Sequence, residues 1–235
     1  PPRSTLFPYT TLFRSPETQA KHYRRSTGNH SDECLVCFEN KLKNGNLLSL
    51  FWDEDYLCHK CRSKLHMVDK TIEIGGVECE VLYEYDEEFS KLLIQYKELY
   101  DEALYPVFVY PYIRKIDRKY RGYTLVSVPS TRSNIEKRGF HHVNQMFSQT
   151  ALDQKELFIK LETGDQKNNS MGVRKQVGSY IRLQDNIKLP QTPILVADDV
   201  ITSSESMTAC LRLLKDHSYP VKGIAISANK KWFKR

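Results

Sequence analysis

The four residues Ile194-Leu195-Val196-Ala197 form an unbroken apolar strand, opened by Pro193 and closed by Asp198-Asp199. A hydroxyl-rich turn follows, Thr202-Ser203-Ser204-Glu205-Ser206. Beyond it Met207, Cys210, Leu211 and Leu214 recur at helical spacing. An apolar strand without polar alternation is covered on both faces, and a helix directly after it is the crossover of a parallel sheet. The same grammar recurs along the chain. Val77–Tyr85 reads as a strand before a helix in which Phe89, Leu92, Leu93, Tyr96, Leu99, Tyr100 and Ala103 share a face. A second helical stretch, Val107–Tyr120, is interrupted by Pro111. Thr124–Val128 is a short strand ending in Pro129-Ser130, residues 132–151 read as a helix, and Val221–Ala228 as the last strand. Shorter strands are expected at Leu157–Leu161 and Tyr180–Leu183, with a polar loop over Glu162–Gln176 between them. The expected fold class is α/β, with a mostly parallel central sheet flanked by helices.

The amino-terminal part follows another rule. Cys34-Leu-Val-Cys37 and Cys58-His-Lys-Cys61 lie 20 residues apart. Two such knuckles aim four thiolates at one point, a tetrahedral sulfur site suited to Zn²⁺. Four protein ligands leave no open position, so the ion would be structural. Free or disulfide-bonded cysteines are the alternative, but six cysteines in 235 residues are too few for a disulfide scaffold. His59 sits inside a knuckle as a bystander, and Cys79 and Cys210 read as buried packing residues. A strand is expected at Leu47–Trp52. Residues 31–70 are expected as the four-cysteine module and 71–235 as the α/β domain. The opening PPRSTLFPYTTLFRSP repeats Thr-Leu-Phe, and the first methionine is Met67. Residues 1–30 therefore read as a poorly ordered extension. The first 16 are of sequencing or vector origin, or else a native tail or targeting remnant.

At the carboxyl end of a parallel strand, the usual ligand edge of such sheets, Asp198 and Asp199 suit ribose hydroxyls or hydrated Mg²⁺. The hydroxyls and backbone N–H groups of Thr202 to Ser206 suit a phosphate monoester. A helix merely capped by Ser203 or Ser204, with acidic residues favoured by the dipole, explains the same residues equally well. Net charge is +6, from 35 basic and 29 acidic side chains. It permits a polyanionic partner without demanding one. Basic residues cluster at Arg114-Lys115-Ile-Asp-Arg118-Lys119-Tyr120-Arg121 and, around Trp232 and Phe233, at Lys230 to Arg235. These could contact single-stranded DNA, or be a solvated helix face and a basic tail. No apolar run approaches the roughly 18 residues of a membrane span.

The strand–Asp-Asp–hydroxyl-loop stretch, Ala197 to Ser206, resembles the ComF family of phosphoribosyltransferase-like proteins. So do Pro129-Ser130-Thr131-Arg132, then Arg138-Gly139-Phe140-His141-His142, and Tyr96-Lys97 with Asp101. The amino-terminal four-cysteine module fits as well. The motifs run in the family's order over about residues 34–230. The sequence departs at Ser204, where the family has glycine, at Glu205, and at His141-His142, which replace Asn-Gln. The resemblance implies a phosphoribosyltransferase-like fold and a cytoplasmic place in DNA uptake during natural transformation. A ComFA-like ATPase and single-stranded DNA are its implied partners, and phosphoribosyl pyrophosphate with Mg²⁺, or a nucleotide, its implied ligand. Asp198 and Asp199 would hold ribose hydroxyls, and Arg174 would belong to a mobile loop. Thr202, Ser203, Ser204, Glu205 and Ser206 would surround the 5′-phosphate. Ser130, Thr131, Arg132 and Arg138 would lie toward pyrophosphate. The competing expectation is a non-catalytic adaptor on a degenerate scaffold. The chain has no Gly-x4-Gly-Lys-Ser/Thr loop, so it is not the motor itself. His141-His142, with no third ligand nearby in sequence, reads as a loop or surface pair.

Overall fold

The computed structural model describes residues 33–41, 55–161 and 180–233. The amino-terminal extension, the Leu47–Trp52 strand, the 162–176 loop and Arg174 all lie outside the described residues.

A four-residue helix α1 (His59–Arg62) carries the second knuckle. Strands β1 (Met67–Ile74) and β2 (Val77–Glu84) then form an antiparallel hairpin. The turn is Gly75-Gly76, with φ of 59° and 80°, a conformation that glycine adopts without a Cβ penalty. Helix α2 (Glu87–Lys97) starts where Asp86 Oδ1 accepts the Phe89 N–H at 2.9 Å. It buries Phe89, Leu92, Leu93 and Tyr96. Two prolines break the next stretch into α3 (Tyr105–Val109), a 3₁₀ turn at Tyr110–Tyr112 and α4 (Ile113–Lys119). Strand β3 (Thr124–Ser127) follows.

The helix expected over 132–151 is two short ones, α5 (Arg132–Arg138) and α6 (His142–Met146). Gly139, at φ +84°, ends the first in a left-handed cap. Strand β4 (Asp153–Lys155) comes next. The small antiparallel pair β5 (Phe158–Lys160) and β6 (Ile181–Leu183) stands apart from the main sheet. Strand β7 (Ile194–Ile201), helix α7 (Glu205–Leu213) and strand β8 (Val221–Ala228) complete the core.

The main sheet has the order β1-β2-β8-β7-β3-β4, and only the β1–β2 pair is antiparallel. The fold is thus α/β with a mostly parallel sheet. Its two faces carry separate apolar clusters. One includes Phe89, Tyr96, Phe108 and Phe147, and the other includes Met207, Cys210, Leu157 and Ile194. Cys79 and Cys210 are fully buried, as expected of packing residues. Among the described residues no helix is long and apolar enough to cross a membrane.

Candidate functional site at the carboxyl edge of the sheet

Strands β3 and β7 are parallel neighbours, with Leu125 opposite Leu195 and Ser127 opposite Ala197. The Val128 N–H donates to the Ala197 carbonyl at 2.8 Å. The loop beginning at Pro129 and the loop beyond Asp199 therefore leave the same edge side by side. Strand β7 is longer than its apolar sequence suggested. Asp198 and Asp199 lie inside it, with Asp198 opposite Ala225 and Val200 opposite Ser227 of β8.

Asp199 is buried. Its Oδ2 accepts from Lys97 Nζ, at the end of α2, and from His142 Nε2 at 3.2 Å. Its Oδ1 accepts the Val200 N–H at 2.8 Å. Arg138 closes the arrangement, with Nε donating to the Lys97 carbonyl at 3.1 Å and a guanidinium N–H meeting His142 Nδ1 at 3.0 Å. Because a guanidinium only donates, Nδ1 must accept, and the imidazole proton sits on Nε2, directed at Asp199. Lys97, Asp199, His142 and Arg138 thus form a closed ring that joins α2, β7, α5 and α6. Ser130 Oγ lies 3.4 Å from His142 Nδ1, and Tyr96 donates to the His142 carbonyl at 2.9 Å. His142 is only 7% exposed. The expectation of a loop or surface histidine is corrected here, whereas His141 is exposed and pairs with Glu156.

The electrostatics separate the two acids. Burial pushes the Asp199 carboxyl up, but Lys97 and His142 outweigh it and hold it well below the usual carboxylate range. Burial, reinforced by the Asp199 charge, pushes Asp198 well above that range. The two acids are thus driven in opposite directions, Asp199 toward its ionised form and Asp198 toward its neutral one. Burial lowers the His142 pKa, and Lys97 and Arg138 act in the same direction against Asp199, so the imidazole stays neutral.

The phosphate-type loop begins one residue after β7. Thr202, Ser203 and Glu205 are exposed, while Ser204 and Ser206 are half-buried. Ser204 is the residue before α7 but caps it with no side-chain hydrogen bond, and its φ is +63°. A non-glycine residue thus holds a glycine-like conformation, at a cost on the order of 1 kcal/mol. Trp232 Nε1 donates to the Thr202 carbonyl at 3.3 Å and pins the loop from the carboxyl-terminal side. Opposite this loop, Thr131 caps α5, accepting the Asn134 N–H at 3.4 Å. Arg132 is exposed and paired with Glu136. Arg138 and Asp199 are therefore joined through Lys97 and His142, whereas Arg132 and Thr202 to Ser206 border the same edge.

These acids suit Mg²⁺ poorly as they stand. Burial and the neighbouring Asp199 charge favour the neutral form of Asp198. Asp199 already accepts three hydrogen bonds from its own chain and lies within hydrogen-bonding reach of the Asp198 carboxyl, with the Lys97 ammonium on the same carboxylate.

The four cysteines form a second, separate cluster. Their sulfur atoms all lie within 4.8 Å of one another, and Cys37 Sγ is 3.7 Å from Cys58 Sγ. A tetrahedral site with Zn–S bonds of about 2.3 Å needs sulfurs about 3.8 Å apart, so the thiols can hold a metal ion such as zinc. His59 is exposed and outside the set. The second knuckle is tied inward by Arg62, whose guanidinium grips Asp55 with two 2.7 Å bonds. The same guanidinium also reaches the Val107 carbonyl at 3.0 Å and the Tyr83 hydroxyl at 3.2 Å.

The basic run of α4 is largely committed. Lys115 pairs with Asp69 and Glu80, and Lys119 pairs with Glu80. Arg118 and Arg121 remain exposed.

No family model matches the chain. The sequence is 22% identical over 210 residues to "Competence protein ComFC" of Streptococcus pneumoniae (strain ATCC BAA-255 / R6), covering 78% of this chain and 94% of that protein. Among solved structures, a hypoxanthine phosphoribosyltransferase from Staphylococcus aureus aligns at 13% identity with a TM-score of 0.34. The alignment covers 56% of this chain and 66%, just under two thirds, of that one. A hypoxanthine-guanine phosphoribosyltransferase from Bacillus anthracis aligns at 17% identity with a TM-score of 0.32, over 57% and 74% of the two chains. The ordered sequence motifs, the streptococcal relative and the four-cysteine cluster together fit the ComF family.

Proposed function

We propose that this chain is a ComF-like competence protein acting in DNA uptake, whose sheet edge binds a phosphoribosyl group or nucleotide. One observation carries the reading. The parallel pairing of β3 and β7 sends the Ser130–Arg132 loop and the Asp198–Ser206 segment out of one edge, beside the Lys97–Asp199–His142–Arg138 ring. In this reading sugar hydroxyls meet the Asp198–Asp199 pair. The loop from Thr202 to Ser206 and the first turn of α7 receive the 5′-phosphate, because orphan N–H groups and a helix dipole both favour an anion there. Ser130, Thr131, Arg132 and Arg138 face a pyrophosphate or second phosphate. Zinc in the four-cysteine cluster is structural. A ComFA-like ATPase and single-stranded DNA are the partners, with exposed Arg118 and Arg121 available to phosphates.

Ribose 5-phosphate titrated into the full chain tests the site. We expect weak binding, lost in Thr202→Ala and strengthened in Glu205→Ala, which removes a carboxylate beside the anion. No binding by either the wild type or Glu205→Ala at millimolar ligand would overturn the phosphoribosyl reading.

A non-catalytic adaptor is the second reading. It is favoured by Asp199 being held by its own chain and by Ser204 standing where the family has glycine.

A further inference from the structure

The ring around Asp199 bears on which cation this edge uses. Asp199 is the ionised member of the acidic pair, and three hydrogen bonds from its own chain already fill most of its acceptor capacity. Lys97 is held in place from behind, because its own carbonyl accepts from Arg138 Nε at 3.1 Å. That bond and the cap of α2 fix where the ammonium can reach. Burial of His142 and its bond to Arg138 fix the other donor. A neutral sugar hydroxyl meeting this acidic pair carries no electrostatic penalty. A divalent ion at Asp199 would share the carboxylate with an ammonium, and like charges at contact repel strongly in a partly buried site.

We propose that Lys97 is the resident cation of this edge: its ammonium neutralises Asp199 and excludes a divalent metal ion, so ligand binding here is metal-independent. The inference rests on the phosphoribosyl reading for its ligand but not for its metal. Lys97 is a positioning and specificity residue. It decides that the carboxylate reads hydroxyls rather than metal ions.

Mn²⁺ binding followed by electron paramagnetic resonance on the full, zinc-loaded chain tests the metal directly, without any sugar ligand. Mn²⁺ prefers oxygen donors and leaves thiolate sites to zinc. The wild type and Lys97→Arg should show no Mn²⁺ site that depends on Asp199. Lys97→Gln should gain one, at least tenfold tighter than any residual Mn²⁺ binding of the wild type, and Asp199→Asn in that background should remove it. Lys97→Met serves as a second neutral variant should Lys97→Gln fail to fold, as judged by circular dichroism. An Asp199-dependent Mn²⁺ site in the wild type overturns the proposal. So does the absence of any gain in folded Lys97→Gln and Lys97→Met. In parallel, ribose 5-phosphate affinity of the wild type should change less than twofold on adding Mg²⁺, and a larger gain overturns metal independence. If no ribose 5-phosphate binds at all, the phosphoribosyl reading falls, and the Mn²⁺ arm still decides the role of Lys97.

Discussion

Two buried carboxylates with lysine partners stand on the same sheet and do different things. Glu80 lies in mid-strand on β2, where Lys115, Lys119 and Tyr120 surround it. Asp199 lies near the carboxyl end of β7, where Lys97 and His142 hold it. Burial raises the Glu80 pKa, but the two lysines and the Tyr120 hydroxyl more than reverse this, leaving it at about 2. Both acids are ionised and satisfied, so charge pairing alone does not mark a functional group. Position does. Glu80 is closed in by α4, while Asp199 lies beside two hydroxyl-bearing loops that each lead into a helix start. The cage on β2 is built for stability, and the ring on β7 stands beside a loop strained at Ser204.

The sharpest way to break this contrast is Glu80→Gln. It leaves two ammonium groups and a buried phenol facing an amide, and should cost about 2–3 kcal/mol by urea denaturation. Its pH signature is distinct. A depressed carboxylate contributes stability that is present above the unfolded value of about 4.3 and lost as pH falls toward the folded value of about 2. The wild type should therefore lose stability across that window more steeply than Glu80→Gln. Equal acid profiles would remove Glu80 from the stabilising role.

Asp199→Asn should cost less, about 1 kcal/mol, because an amide oxygen still accepts from His142 and Lys97 can turn to water. A loss as large as that of Glu80→Gln would mean the ring is a structural cage after all. The smallest effect is expected at Ser204. Replacing it by glycine relieves a positive φ, and Ser204→Gly should raise stability by up to about 1 kcal/mol despite glycine's entropy cost. Destabilisation instead would mean that the Ser204 side chain contributes more than its backbone costs.

Much of this architecture was legible in the residues because burial on both faces writes itself into β7 and β8 as uninterrupted apolar runs. Less legible were β1, with Asp69, Lys70 and Glu73 in an edge strand, and β4, three polar residues that pair only with β3. The break at Gly139 was written in the sequence but outweighed by the helical pattern around it. His142 was the main miss at the site. It sits in a five-residue helix among polar neighbours, and its burial comes from Tyr96, Arg138 and Asp199, residues 46, 4 and 57 positions away. No local periodicity reports such contacts. Lys97 was visible only through the family resemblance, since a lysine ending an amphipathic helix is ordinary by itself.

Arg62 carries a practical consequence for anyone dissecting this molecule. It belongs to the second cysteine knuckle, yet its guanidinium is spent on Val107 and Tyr83, which belong to the helix and strand of the larger domain. Trimming the chain just after Cys61 would keep that arginine but remove Asp55, stranding a hidden positive charge. Trimming after Arg62 would instead leave the Val107 carbonyl and the Tyr83 hydroxyl without their donor. Neither cut yields a clean fragment, so the four-cysteine segment behaves as a plug seated in the domain rather than a tag hung on it.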